Sequence, residues 1–411
     1  MKPYTKGAAS ARPLSHYVVA ILPALAILLS LSLSLGQAFA KQTPQSDLTV
    51  HEWGTFTSVA GTDGLAMDWL PLTGSTDLPS FVEHFNGALF KSGLRGTIRM
   101  ETPVLYFYSP RETSVSVNVS FSKGLITEWY PRANSVNPAF DPRRYSLYAQ
   151  KSPGAISWNS VHIDPQGSAD FPSDHSKNHY YAARQTSSAP LELSSSSGPQ
   201  REKFLFYRGV STFLPPLTAT LTSDSTVQLQ NHFPEPIPSA ILFERRGAQL
   251  GFRVLGPLRD EASLAAPSLD GSLDSLFSSL EAMLISQGLF PDEAHAMLET
   301  WEDSWFEEGF RIIYIVPSAF VNSVLPLRIK PVPSSATRVF VGRLELITPA
   351  TEQAVEAAFA SGDHSTLVKY SRFLDPILRT MLQQSPDPAR QQRLLQYLNS
   401  VPRYTEVQPP D

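Results

Sequence analysis

Three groups of residues in the chain have the types that chemistry needs. The densest lies in HIDPQGSADFPSDHSKNHYYAAR, which places His162, Asp164, Asp170, Asp174, His175 and His179 within 18 residues. Imidazoles and carboxylates are the usual ligands of zinc, iron and manganese. His162, Asp164, His175 and His179 are therefore the candidate metal set, with a divalent transition metal as the candidate cofactor. The spacing corresponds to no established metal motif, and polar loops gather Asp and His without binding anything, so a solvated loop is the simpler reading. The second group is three glutamates set among aromatics, Glu52 in HEWG, Glu101 in METP and Glu128 in TEWY. Glycoside hydrolysis needs two carboxylates flanking one sugar, one of them with a raised pKa. Buried glutamates bonded to Arg99, Arg132 or backbone account for the same residues. The third group is His51 and Trp53 with Trp129 and Tyr130, which could line a binding surface.

HEWGTFTS itself, residues 51–58, sets a histidine beside a carboxylate. On a strand, neighbouring side chains point to opposite faces, so His51 and Glu52 point apart and do not serve one site. The zinc-protease pattern HExxH fails at Thr55 and would require a helix. The stretch reads best as the first strand of a sheet. His295 and Glu299, one helical turn apart with Glu302 beside them, could ligate a metal, but an acidic solvent face is the commoner explanation. No GxSxG elbow, phosphate-binding loop or GxGxxG fingerprint is present. SFSK at 120–123 satisfies SxxK but falls on a predicted strand without companion motifs.

The elements that must position these groups divide by period. From Leu48 to Leu258 the signals are mostly strand. SVSVNVSF puts Val115, Val117, Val119 and Phe121 on one face, and METPVLYFYS, GLITEWYP, KFLFYRGV and AILFERRGAQLGFRVL are rich in β-branched and aromatic residues. Turns at 61–64, 222–225 and 245–248 separate paired runs. Two stretches, 131–155 and 164–200, are rich in Pro, Ser and Asn, and 187–200 reads as a mobile surface loop. After Leu258 the period becomes helical. SLDSLFSSLEAMLISQG and PDEAHAMLETWEDSWFEEG each carry one apolar stripe, with Gly288 and Gly309 as stops. Strands return in FRIIYIVP, VLPLRIKPVP and RVFVGRLELITP, and Pro349 to about Val401 is helical again. The expected fold is α+β: a mainly antiparallel, sandwich-like β-rich domain over 47–258, a mixed helical region over 259–403 packed on it, and a short tail over 404–411.

HEWGTFTSVAGTDG, RMETPVLYFYSP, GLITEWYP, HYYAAR, REKFLFYRG and the run from WFEEGFRIIYIVP to RVFVGRLELITP together resemble a family of exported bacterial proteins. The resemblance spans most of 48–350. It implies export and assigns no activity.

Residues 1–40 read as the export signal. Lys2, Lys6 and Arg12 precede a charge-free apolar run, and Ala38-Phe39-Ala40 forms a small-x-small cleavage site. A membrane role requires that this segment be retained as an anchor. Cleavage removes three basic residues and no acidic one, taking the net charge from −5 to −8. That balance argues against a nucleic-acid partner, which needs a basic patch. The absence of cysteine excludes disulfides, thiolate metal sites and a thiol nucleophile. Two functions fit this sequence. One is an exported, periplasmic or secreted, non-catalytic module that binds a glycan or a partner protein. The other is an exported hydrolase, metal-dependent through the 162–179 loop or carboxylate-based through Glu52, Glu101 and Glu128.

Overall fold

The computed structural model describes residues 47–72, 78–84, 94–137, 153–175, 178–196, 198–222 and 226–401. The expected signal segment and the 404–411 tail lie outside the described residues. The strands in chain order are β1 (Thr49–Val59), β2 (Glu83–His84), β3 (Ile98–Tyr108), β4 (Thr113–Phe121), β5 (Gly124–Tyr130) and β6 (Ser135–Asn137). Then come β7 (Gly154–Ile163), β8 (Leu191–Ser195), β9 (Gly198–Glu202), β10 (Leu205–Ser211), β11 (Leu217–Leu221) and β12 (Thr226–Asn231). The last are β13 (Ala240–Arg246), β14 (Gln249–Leu255), β15 (Glu261–Ala265), β16 (Gly309–Val316), β17 (Leu327–Lys330) and β18 (Ser335–Leu346). The helices are α1 (Leu273–Ser286), α2 (Pro291–Trp305), α3 (Ser318–Val324), α4 (Pro349–Ser361), α5 (His364–Lys369), α6 (Leu374–Gln384) and α7 (Pro388–Ser400), with 3₁₀ turns at His179–Arg184 and Ser371–Phe373.

A nine-stranded sheet in the order β14-β13-β16-β18-β1-β3-β10-β5-β2 is the spine of the molecule. The described pairings are antiparallel except β1 with β18. Both faces of this sheet are covered, which is why its central strands read as continuous apolar runs. On β13, Ala240 and Leu242 enter one core while Ile241 and Phe243 enter the other. The first core lies toward a six-stranded sheet (β17-β4-β7-β8-β9, with β6 also on β7) and a three-stranded one (β11-β12-β15). There Val115, Val117, Val119 and Phe121 of β4 are buried together, as their alternation predicts. This is the sandwich part of the α+β fold.

The second core lies under α1, α2 and the 3₁₀ turn at 179–184. Helix α1 starts at Ser272, whose side chain accepts from the Ser275 N–H, and stops before Gly288 at φ 101°. Helix α2 has Pro291 at its first turn and buries Ala294, Met297, Leu298, Trp301 and Trp305. Each large side chain in that stripe contributes about 1.5–3 kcal/mol by leaving water. A third core gathers α4–α7 around Val59 and Trp69.

The mixed region packs on the sheets, and its strands β16 and β18 also lie inside the main sheet, between β13 and β1. One expectation is corrected. The 187–200 stretch is not a loose loop: β8 and β9 pair through Leu191↔Glu202 to Ser195↔Gly198, and Leu191 and Leu193 are buried. Alternating Leu between polar residues was a strand signal that the serine content obscured.

Candidate functional site

HEWGTFTS forms most of β1, fifth in the nine-strand order, and ten of the strand's eleven residues are buried. His51 and Glu52 do point apart. His51 Nδ1 lies 2.7 Å from Glu293 Oε2 on α2, and Tyr108 donates to Glu293 Oε1 at 2.8 Å. Burial and the Glu293 carboxylate push the Tyr108 phenol well up, so it stays a donor. This cluster pins the start of α2 to β1 and β3. On the opposite face Glu52 accepts from the Tyr207 hydroxyl and from Arg338 Nε at 2.5 Å, side chains rather than backbone.

The expected binding surface does not assemble. Trp53 is fully buried under the helices, Tyr130 enters the same core, and Trp129 packs against the other one. The metal set disperses likewise. His162 faces Glu112 at 3.8 Å, Asp164 accepts from the Gln166 N–H, and His175 is exposed in a left-handed turn (φ 59°). His179 contacts Asp303 at 2.5 Å and the Glu299 carbonyl at 3.0 Å. Asp174 accepts from the Ser80 N–H and the Tyr181 hydroxyl, and Asp170 is exposed. His295 reaches Glu299 at 3.3 Å on the helix surface. Among the described residues no group of three or more His, Asp or Glu side chains could hold a metal ion.

The glutamates separate by face. Glu52 points toward the sandwich core, whereas Glu101 and Glu128 point toward the helices, so all three cannot flank one sugar. Glu101 and Glu128 stand at a break in the sheet. Between Trp53 and Thr55 the β1–β3 register slips by one residue, and the β10–β3 register slips between Phe206 and Gly209. β3 therefore carries an extra residue at Thr102-Pro103, and Thr102 sits at φ 46°, a backbone setting that non-glycine residues rarely adopt. β5 carries its own extra residue at Thr127, opposite the Arg208–Gly209 step of β10. Gly54 and Gly209 make room for this. A Cβ at Gly54 would meet Phe340 at 2.7 Å, and one at Gly209 would meet the Leu125 carbonyl at 2.3 Å. Bulges of this kind bend strands and re-aim side chains.

Over the bulges lies a cleft of about 410 Å³, within the range of small-molecule sites. Its floor is Arg99 and Thr102 of β3 and Arg208 of β10, with Arg372 of the 371–373 turn beside them and Thr300, Trp301 and Ser304 of α2 as a wall. Arg208 Nη2 donates to Thr102 Oγ1 at 3.2 Å. Glu101, fully buried, accepts from Thr57 Oγ1 at 2.6 Å, faces Arg99 Nε at 2.9 Å and accepts from Arg372 Nη1 at 3.4 Å. Burial alone would raise its pKa. Arg99, Arg372, the Thr57 hydrogen bond and Arg208 outweigh that and hold the carboxyl below its ordinary value. Glu101 is thus an ionised counter-charge and a poor proton donor. Arg372 Nη1 also donates to Ser304 Oγ at 2.8 Å, tying the turn to α2. The indole N–H of Trp301 is buried and has no hydrogen-bond partner among the described residues.

Sequence reasoning had named Arg99 only as a partner for glutamate, and missed Arg208 and Arg372. Pro103 inside an otherwise central strand was the available signal, because proline in a sheet marks an edge or a bulge. Arg372 comes from the far end of the chain and had no local signal. Arg132, the other arginine considered, lies 3.8 Å from Glu83 at the surface. No family model matches the chain, and no curated protein is significantly similar to it.

Proposed function

We propose that the protein is an exported, non-catalytic binding module whose ligand is a small anionic glycan unit held in the cleft above Arg99, Arg208 and Arg372. The observation that carries this reading is the convergence of three guanidinium groups at a double bulge, on the floor of a cavity of ligand size. Guanidinium forks match carboxylate and oxyanion geometry, and in a partly desolvated site they bind anions more strongly than exposed lysines do. A glycan suits the site better than a protein partner, because the cleft is small and its walls carry side-chain hydroxyl, amide and carboxylate groups. The hydrolase alternative asks for a proton-donating carboxyl, and the arginines hold Glu101 in the opposite state.

The test is retention of purified protein on immobilised acidic and neutral polysaccharides. Retention on acidic matrices is expected, weakening with added salt, and Arg372→Gln should abolish it. Equal retention on neutral matrices, or none on either, refutes the reading. Release of new reducing ends during incubation would restore the hydrolase.

A further inference from the structure

Two hydroxyl groups in the cleft are left with a proton to give. Ser304 stands near the end of α2, half-buried in the cleft wall. Its Oγ accepts from Arg343 Nη1 at 2.7 Å and from Arg372 Nη1 at 2.8 Å. A serine hydroxyl has two lone pairs and one proton, so two guanidinium donors fill its acceptor side. The proton must go elsewhere. A hydroxyl within a helix often donates to the carbonyl four residues back. Thr300, one turn earlier, does so, to Ala296 at 2.7 Å. Ser304 does not, and among the described residues its proton has no acceptor. The cleft is the direction left open.

Thr102 repeats the pattern on the floor. Its Oγ1 accepts from Arg208 Nη2 at 3.2 Å, and its own proton has no acceptor among the described residues. The residue is buried and held at φ 46°, and backbone strain of that kind gathers at ligand sites.

Resting on the reading above, we infer that Ser304, with Thr102 as a second donor, reads the anionic group of the ligand by giving its hydroxyl proton to an oxygen that carries no hydrogen, as in a carboxylate or a sulfate ester. Accepting from a cation makes a hydroxyl the stronger donor, because hydrogen bonds in a chain polarise one another. An ionised oxygen receives such a bond best. A sugar hydroxyl receives it without charge assistance and must still place its own proton. The geometry is set before the ligand arrives. Arg343 is fully buried and held by Glu307 at 2.5 Å and Glu345 at 2.7 Å, so the hydroxyl that it engages is fixed in place.

Calorimetric titration of the purified protein at low and high salt tests this. The probes are glucuronate, galacturonate, glucose 6-sulfate and glucose. At least one of the three anions should bind, and which one separates carboxylate from sulfate. Ser304→Ala should weaken that anion about tenfold, the scale of one hydrogen bond to a charged group. Ser304→Thr, which keeps the hydroxyl, should retain binding. Ser304→Ala removes no charge, so affinity should fall with salt as steeply as in wild type. A shallower salt dependence would mean that the change acts by displacing Arg372, and it overturns the inference. A folded Ser304→Ala protein with unchanged affinity overturns it too. Should Ser304→Ala fail to fold, Thr102→Val, which keeps the branched side chain, carries the same test. These results leave the anion-binding reading standing. Failure of all three anions to bind, or glucose binding as tightly as they do, refutes both.

Discussion

Replacing Glu101 with glutamine separates an ionised counter-charge from a merely polar one. The carboxylate is fully buried, and its partners Arg99 and Arg372 are nearly and largely buried. Breaking a buried ion pair by removing one partner costs about 3–5 kcal/mol, because the other charge is left uncompensated. Glutamine keeps the volume, so there is no cavity to add, and its carbonyl can still accept from Thr57. Its amide, however, must face a guanidinium, donor against donor. These considerations put Glu101→Gln at the low end, about 3 kcal/mol. Urea unfolding at about pH 7, read as the midpoint shift multiplied by the slope, measures it. The pH dependence supplies a second check. A carboxyl whose folded pKa is depressed contributes stability that is present above its unfolded value and lost as pH falls through the folded one. The cost of Glu101→Gln should therefore hold above the ordinary carboxyl value of 4.5 and shrink as pH falls below it toward the depressed folded value. Glu345 is also held below its ordinary value, by Arg311 and Arg343 against the effect of burial, but it is present in both proteins and cancels in the difference. A cost under about 1 kcal/mol, or one that does not change with pH, would refute the ionised assignment.

Other outcomes are equally direct. Glu293→Ala should destabilise by about 3 kcal/mol or more in a thermal melt, since it strands buried His51 and half-buried Tyr108 and frees the start of α2; a change under about 1 kcal/mol would argue against the pinning role. Gly342→Ala should cost about 1–3 kcal/mol because its Cβ would meet the Tyr314 ring at 2.1 Å, and an unchanged melt would show that the ring can yield. His162→Ala and His175→Ala should each move stability by no more than about 0.5 kcal/mol, and loss of a bound metal on either change would revive the ligand reading. Limited proteolysis should yield no stable fragment ending near residue 258, because β16 and β18 complete the sheet between β13 and β1; recovery of such a folded fragment would contradict the shared sheet.

The elements were legible where one local rule governed them. The alternation of β4, the stripe of α2 and the stop at Gly288 all follow from residues close together in sequence, whereas α2 ends at Trp305, before the expected stop at Gly309, which instead opens β16. Glu101 and Glu128 were legible as residue types, charged groups in apolar strands, but their common face was not. Two one-residue bulges set that face, and a bulge inverts the alternation from which facing is read. The 162–179 cluster misled for the opposite reason. Its spacing is dense along the chain, yet each side chain finds a separate partner, such as Glu112 for His162 and Asp303 for His179. The cleft needs β3, β10, α2 and the 371–373 turn together, and only the tertiary fold brings them to one place.

The one parallel pairing among the described residues, β1 against β18, has a consequence for how the molecule is made. Glu52 and Arg338 are neighbours across it, yet 286 positions separate them along the chain. A chain emerging N-terminus first produces β1 early and must keep that apolar strand unpaired on one edge until β18 is available. Contacts of such long range slow folding and leave strand edges open to intermolecular pairing. β1 is therefore the segment on which a holding chaperone would act, and Arg338, reaching the buried Glu52 only when β18 docks, marks the step at which that exposure ends.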